Sequence, residues 1–121
     1  MTTFFEIKNC RQRPDEPRRR WFSTQRQDLI VWFGDDERIV GFRYAYTATD
    51  GAFAVSWDVA EGCRHDRLDT GERPARSMTP MLQPTRRIPG HDVLLDFRRS
   101  SQRLEPQLAN FVAAKLDFCM S

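Results

Sequence analysis

Residues 39–58 read IVGFRYAYTATDGAFAVSWD, and the organisation of the chain follows from this stretch. Side chains on a strand alternate between two faces. That places Val40, Phe42, Tyr44 and Tyr46 on one face and Ile39, Gly41, Arg43 and Ala45 on the other. After the break, Phe53, Val55 and Trp57 repeat the apolar face. Asp50-Gly51 is a strong signal for a two-residue hairpin, because a type I′ turn needs positive φ at both central residues. A turn there predicts Tyr46 opposite Val55, Tyr44 opposite Trp57 and Arg43 opposite Asp58.

Working outward, residues 28–33 (DLIVWF) are a short apolar run of strand length, and Gly34 to Arg38 is a turn. Residues 3–9 suit a short strand. Residues 63–69 (CRHDRLD) suit a polar strand near a sheet edge, and 77–83 an edge segment, since Pro80 bars a central position. Residues 10–20 hold Pro14, Pro17 and dense charge, which predicts an exposed loop. The last thirty residues change to helical spacing. Asp92 is positioned to cap a helix over about 93–103, with Val93, Leu94, Phe97 and Leu104 near one stripe. Pro106 opens a second helix whose apolar positions are Leu108, Phe111, Val112 and Leu116. Strands followed by helices predict an α+β fold: an antiparallel meander of about four to six strands, then two C-terminal helices on one sheet face.

Composition sets the outer bounds. The 121 residues make one domain, and 40% hydrophobic with 12% aromatic content excludes a disordered chain. No apolar run approaches the ~20 residues a bilayer span needs. The N-terminus lacks the basic and apolar regions of a signal peptide. Three cysteines, Cys10, Cys63 and Cys119, are odd in number and form no CxxC pair, so reduced thiols in a cytoplasmic protein are expected. Net charge is only +2, but residues 8–27 carry seven basic side chains against Asp15 and Glu16, a local +5.

Nucleotide-loop, zinc-protease, hydrolase-elbow and calcium-loop motifs are all absent. What remains is a polar constellation. Small residues on the less apolar sheet face, together with Arg43, Ser56, His65, Arg67 and Glu72, predict a shallow site for a small anionic ligand. A protein partner on the same face, or weak self-association as a homodimer, is the other expectation for a binding or interaction module. Two further readings stand beside it. One is a small enzyme with His65 as general base, Asp69 orienting it and Arg67 holding an anion. The other is a nucleic-acid-associated protein using Arg11, Arg13, Arg18, Arg19 and Arg20, since arginines interleaved with aromatics are the ingredients of single-strand binding. A non-catalytic role is favoured over an enzyme, and nucleic acid is the less favoured partner. No membrane contact, metal or cofactor is expected. A lone His with scattered carboxylates does not make a zinc site.

The run DLIVWFGDDERIVGFRYAY, followed by Trp57, HDRLDTGE and SMTPML, resembles a set of short bacterial proteins of uncharacterised function. These share DLIVW, an acidic turn, IVGF, a Trp, HxRxDxGE and MTPxL. The resemblance covers roughly residues 20–116. It implies that His65, Arg67, Asp69, Gly71, Glu72, Thr79 and Pro80 belong to a shared pattern, and it implies no activity. The Arg-rich segment near the N-terminus is less typical of the set.

Overall fold

The computed structural model describes residues 3–8, 12, 14–48, 51–69, 81–84 and 90–120. Seven strands form one sheet: β1 (Phe5–Ile7), β2 (Arg18–Ser23), β3 (Gln27–Phe33), β4 (Ile39–Ala48), β5 (Gly51–Asp58), β6 (Gly62–Asp69) and β7 (Met81–Pro84). Each pairs antiparallel with its neighbours in the chain, in the order β1 to β7. Two helices follow, α1 (His91–Ser100) and α2 (Pro106–Met120). The architecture is the expected α+β meander with C-terminal helices. The extra strand is β2, which takes Arg18, Arg19 and Arg20 out of the anticipated loop.

One sheet face is closed. Phe22, Leu29, Val31, Phe42, Tyr44, Tyr46, Phe53 and Val55 lie buried on it beneath Val93, Leu94, Phe97, Leu108, Val112 and Leu116. Phe97 of α1 meets Tyr44 edge-on at 5.3 Å between ring centres, and Phe4 packs on the same ring at 6.0 Å. The Phe4 amide also donates to the Ser100 carbonyl at 2.8 Å, tying the chain start to the end of α1. The first helix begins earlier than its spacing suggests. Gly90 is its N-cap, and Asp92 sits inside the first turn, where a carboxylate suits the helix dipole without capping it.

The central hairpin keeps its faces but not its register. Tyr46 opposes Phe53, Tyr44 opposes Val55, Arg43 opposes Ser56 and Gly41 opposes Asp58, two residues away from the expected pairing. Ala48 pairs with Gly51, so Gly51 opens β5 with φ +143° and is not a turn residue; Asp50 lies outside the described residues. A slip of two preserves every side chain's face, so the face pattern alone does not set register. The observed register stacks Tyr46 on Phe53 and Phe42 on Trp57, at 5.9 and 6.1 Å. Those are two directly facing aromatic pairs, where the expected register has one.

Cys63 and Cys119 form a disulfide that joins β6 to the last turn of α2 across 56 residues of sequence. The expectation of reduced thiols therefore fails for two of the three cysteines. Their separation in sequence concealed the pair, because the hairpin order that brings β6 under the end of α2 is a property of the fold. Phe111 also departs from expectation. It is half-buried, covering the edge of Trp57 at 5.5 Å, while Ala113 takes a buried place in the stripe.

Two stability results follow. Leu116→Ala empties a fully buried site and should cost about 2–5 kcal/mol in urea melts, with Phe111→Ala clearly the milder change. Unreduced, denatured protein should titrate one thiol and reduced protein three, and reduction should remove up to about 4 kcal/mol of stability by freeing the unfolded chain.

Candidate functional site

The β5–β6 turn decides which candidate residues meet. Asp58 Oδ1 accepts the Ala60 and Glu61 amides at 2.8 and 2.7 Å, and Gly62 takes φ +79°. This is a three-residue connection closed by a glycine in the left-handed region. It pairs Trp57 with Cys63, Val55 with His65 and Phe53 with Arg67. His65 and Arg67 therefore lie on the helix-covered side, not beside Arg43 and Ser56. Four of the five residues of the expected site are therefore split between the two faces of the sheet, and the fifth, Glu72, lies outside the described residues. The signal was present as Asp58 followed by Gly62, an Asx turn ending in a left-handed glycine, and it fixes which face β6 turns where.

His65 is part of an aromatic stack. Its ring lies parallel to Tyr46 at 6.1 Å and beside Phe53 at 5.6 Å, and its Nε2 shares a 2.8 Å hydrogen bond with the Tyr46 hydroxyl. Arg67 is exposed near Gly51. Asp69 belongs to β6 and pairs with Met81. Glu72, Gly71, Thr79 and Pro80 lie outside the described residues, as do Arg11 and Arg13.

The arginines of β2 divide by strand alternation. Arg18 and Arg20 point to the helix side. Arg18 binds Glu37 at 2.7 Å and lies over the Phe33 ring. Arg20 lies over the Phe22 ring and spans two carboxylates, meeting Glu6 at 2.8 and 2.9 Å and Glu105 at 2.7 and 2.9 Å. Arg19 alone of the three is on the opposite face, where its backbone amide binds the Gln12 side chain. These arginines do not form one cationic surface.

The open face carries a different group. In register across the sheet run Trp21, Ile30, Arg43, Ser56 and Arg64, and beside them Arg19, Trp32, Gly41, Asp58 and Gly62. Neighbouring strands are ~4.8 Å apart, so Ser56 stands between two guanidinium-bearing positions. Arg64 Nε donates to Asp66 Oδ1 at 2.8 Å, and Asp66 is fully buried. Arg43 Nε, Ser56 Oγ and Asp66 Oδ2 are buried and have no hydrogen-bond partner among the described residues. Burial pulls the Arg43 guanidinium below its ordinary value, Asp66 pushes it back up, and Arg64 lowers it further. The cluster holds two cations against one carboxylate. It borders a cleft of about 300 Å³ lined by Pro17, Trp32, Gly41, Arg43, Ser56 and Asp58.

A wider cleft of about 520 Å³ runs between α1 and the start of β3, with Arg26, Asp96 and Arg99 on its walls. Nearby, burial pushes the Tyr44 phenol well above its ordinary value, and the charge of Asp96 adds to that effect. Among the described residues, no group of three or more His, Cys, Asp or Glu side chains is placed to hold a metal ion. No described helix is long and apolar enough to cross a membrane. Comparisons with protein-family models, curated proteins and solved structures returned no match.

The Arg20 pair of ion pairs carries a pH signature. Hydrogen bonding to Arg20 holds both the Glu6 and Glu105 carboxyls below their ordinary value of 4.5. Carboxyls lowered in the folded state stabilise it fully above the unfolded value and lose that contribution as pH falls through the folded values. Arg20→Gln should therefore flatten the loss of stability below pH 4.5, as read from urea melts across pH, with the wild-type curve falling more steeply.

Proposed function

We propose that this chain is a small binding module that takes an anionic ligand on the open sheet face, at Arg43 and Ser56. The observation that carries the reading is the pair of orphaned donors. A buried polar atom left without a partner costs roughly 1–3 kcal/mol, and here a guanidinium Nε and a serine hydroxyl occupy directly paired positions beside one cleft. Both donate, one is cationic, and an anion satisfies both. Arginine offers two parallel N–H groups to a phosphate or carboxylate, which favours such ligands over a single-point contact. Arg64 adds a second positive charge, and Asp66 orients it. In this reading the site keeps Arg43 and Ser56, adds Arg64 and Trp32, and leaves out His65 and Arg67, which lie on the other face, while Glu72 lies outside the described residues.

The enzyme reading has less support. His65 is held between aromatic rings by the Tyr46 hydroxyl, on the far side of the sheet from the cleft. The nucleic-acid reading through residues 11–20 loses Arg18 and Arg20 to ion pairs with Glu37, Glu6 and Glu105. A cytoplasmic setting must be reconciled with the Cys63–Cys119 bond, since reducing compartments keep such pairs as thiols. It would require the bond to follow redox state.

Phosphate, sulfate and simple carboxylates should raise the melting temperature of the wild type. Arg43→Gln should abolish that shift while the unliganded protein melts near the wild-type temperature. If no anion shifts the wild type, the site reading fails.

A further inference from the structure

The cleft holds more than an anion needs, and this geometry points to a ligand in which a flat ring is joined to a phosphate through a hydroxylated linker: a nucleoside monophosphate. The inference rests on the anion reading above and adds the rest of the molecule to it.

Three features of the wall require that addition. The first is Trp32. It sits on the open face directly across from Gly41, a position with no side chain, so nothing on β4 stands over the indole at that register. Gly41 itself is fixed by its other neighbour, because a Cβ there would come within 3.0 Å of the Trp57 carbonyl and 3.2 Å of the Asp58 Cβ. Pro17 lines the same cleft as Trp32, so two apolar side chains border it. Stacking on an aromatic side chain is a major source of affinity for nucleobases.

The second feature is spacing. Arg43 lies two residues along β4 from Gly41, so Trp32 and Arg43 are diagonal neighbours, about 7–8 Å apart at the backbone. A free phosphate reaches Arg43 and leaves the indole untouched. A pentose between ring and phosphate bridges them.

The third is Asp58. Its Oδ1 is committed to the Ala60 and Glu61 amides, which leaves Oδ2 as the acceptor on the cleft wall. A free carboxylate oxygen accepts from hydroxyl or amine donors. Sugar hydroxyls or an exocyclic amine supply them. The volume, about 300 Å³, is at the small end of the range for ligand pockets, which suits a single nucleotide.

The test uses the whole protein with adenosine 5′-monophosphate, uridine 5′-monophosphate, ribose 5-phosphate and inorganic phosphate, followed by calorimetry and by the indole N–H resonances. Both nucleotides should bind at least tenfold more tightly than ribose 5-phosphate and should move the Trp32 indole signal, which ribose 5-phosphate leaves in place. Trp32→Leu should bring the nucleotides down to the affinity of ribose 5-phosphate, and Trp21→Leu should keep the difference. Should Trp32→Leu fail to fold, the wild-type indole signals decide alone. Equal affinity for nucleotides and ribose 5-phosphate, with phosphate binding retained and sensitive to Arg43→Gln, overturns the nucleotide inference and leaves the anion site standing. Absence of binding by all four overturns both.

Discussion

The covering of one side of the sheet by the two helices is the constraint on which the rest depends. Two helices of ten and fifteen residues bury the β2–β5 part of one face of the meander, and no described helix packs on the other. Tyr44 marks the centre of the closed side, fully buried with the edge of Phe97 against its ring. Once that contact places α1, strand alternation dictates the opposite face. Every residue next to a core aromatic on β4 and β5 must point away from the helices. Those positions are Gly41, Arg43, Ala45, Ala54, Ser56 and Asp58, small or polar throughout. The candidate site is thus the complement of the core, read off the same strands one residue out of phase.

Phase also separates what was legible in the sequence from what was not. The faces of β3, β4 and β5 were plain, because the alternation within each strand is long and strong. Register between β4 and β5 was not, because pairing shifted by two gives the same faces, and Asp50-Gly51 offered a persuasive but displaced turn. The face of β6 was a separate question, since its own alternation is polar on both sides and carries no hydrophobic label. Asp58 and Gly62 held the answer through backbone chemistry. Without that turn His65 and Arg67, two of the five residues of the expected site, fall on the wrong side. The second strand was hidden for another reason: RRRWFS looks like a charged loop meeting the core. Arg18 and Arg20 instead lie over Phe33 and Phe22 and pair with carboxylates distant in sequence. Long arginine stems cover apolar rings while their heads find partners, so a basic run can be a strand.

The two sides of the sheet treat charge differently. On the helix side, Arg20 is fully matched by Glu6 and Glu105, and this matched group ties β1, β2 and the start of α2 together. On the side away from the helices, Arg64 binds Asp66, and Arg43 feels the same carboxylate only through its charge. Complete pairing serves cohesion. Incomplete pairing of buried groups is costly to the fold by itself.

The bond between Cys63 and Cys119 has a mechanical side. Covalent connection does not have to follow the backbone. Tension applied between Phe4 and Met120 would run through β1 to β6 as far as Cys63, cross the sulfurs and leave at Cys119. Strand β7 and both helices lie in the bypassed segment and would carry no load. Under force the helical layer would stay tethered to β6, and the length released would be set by the residues ahead of Cys63.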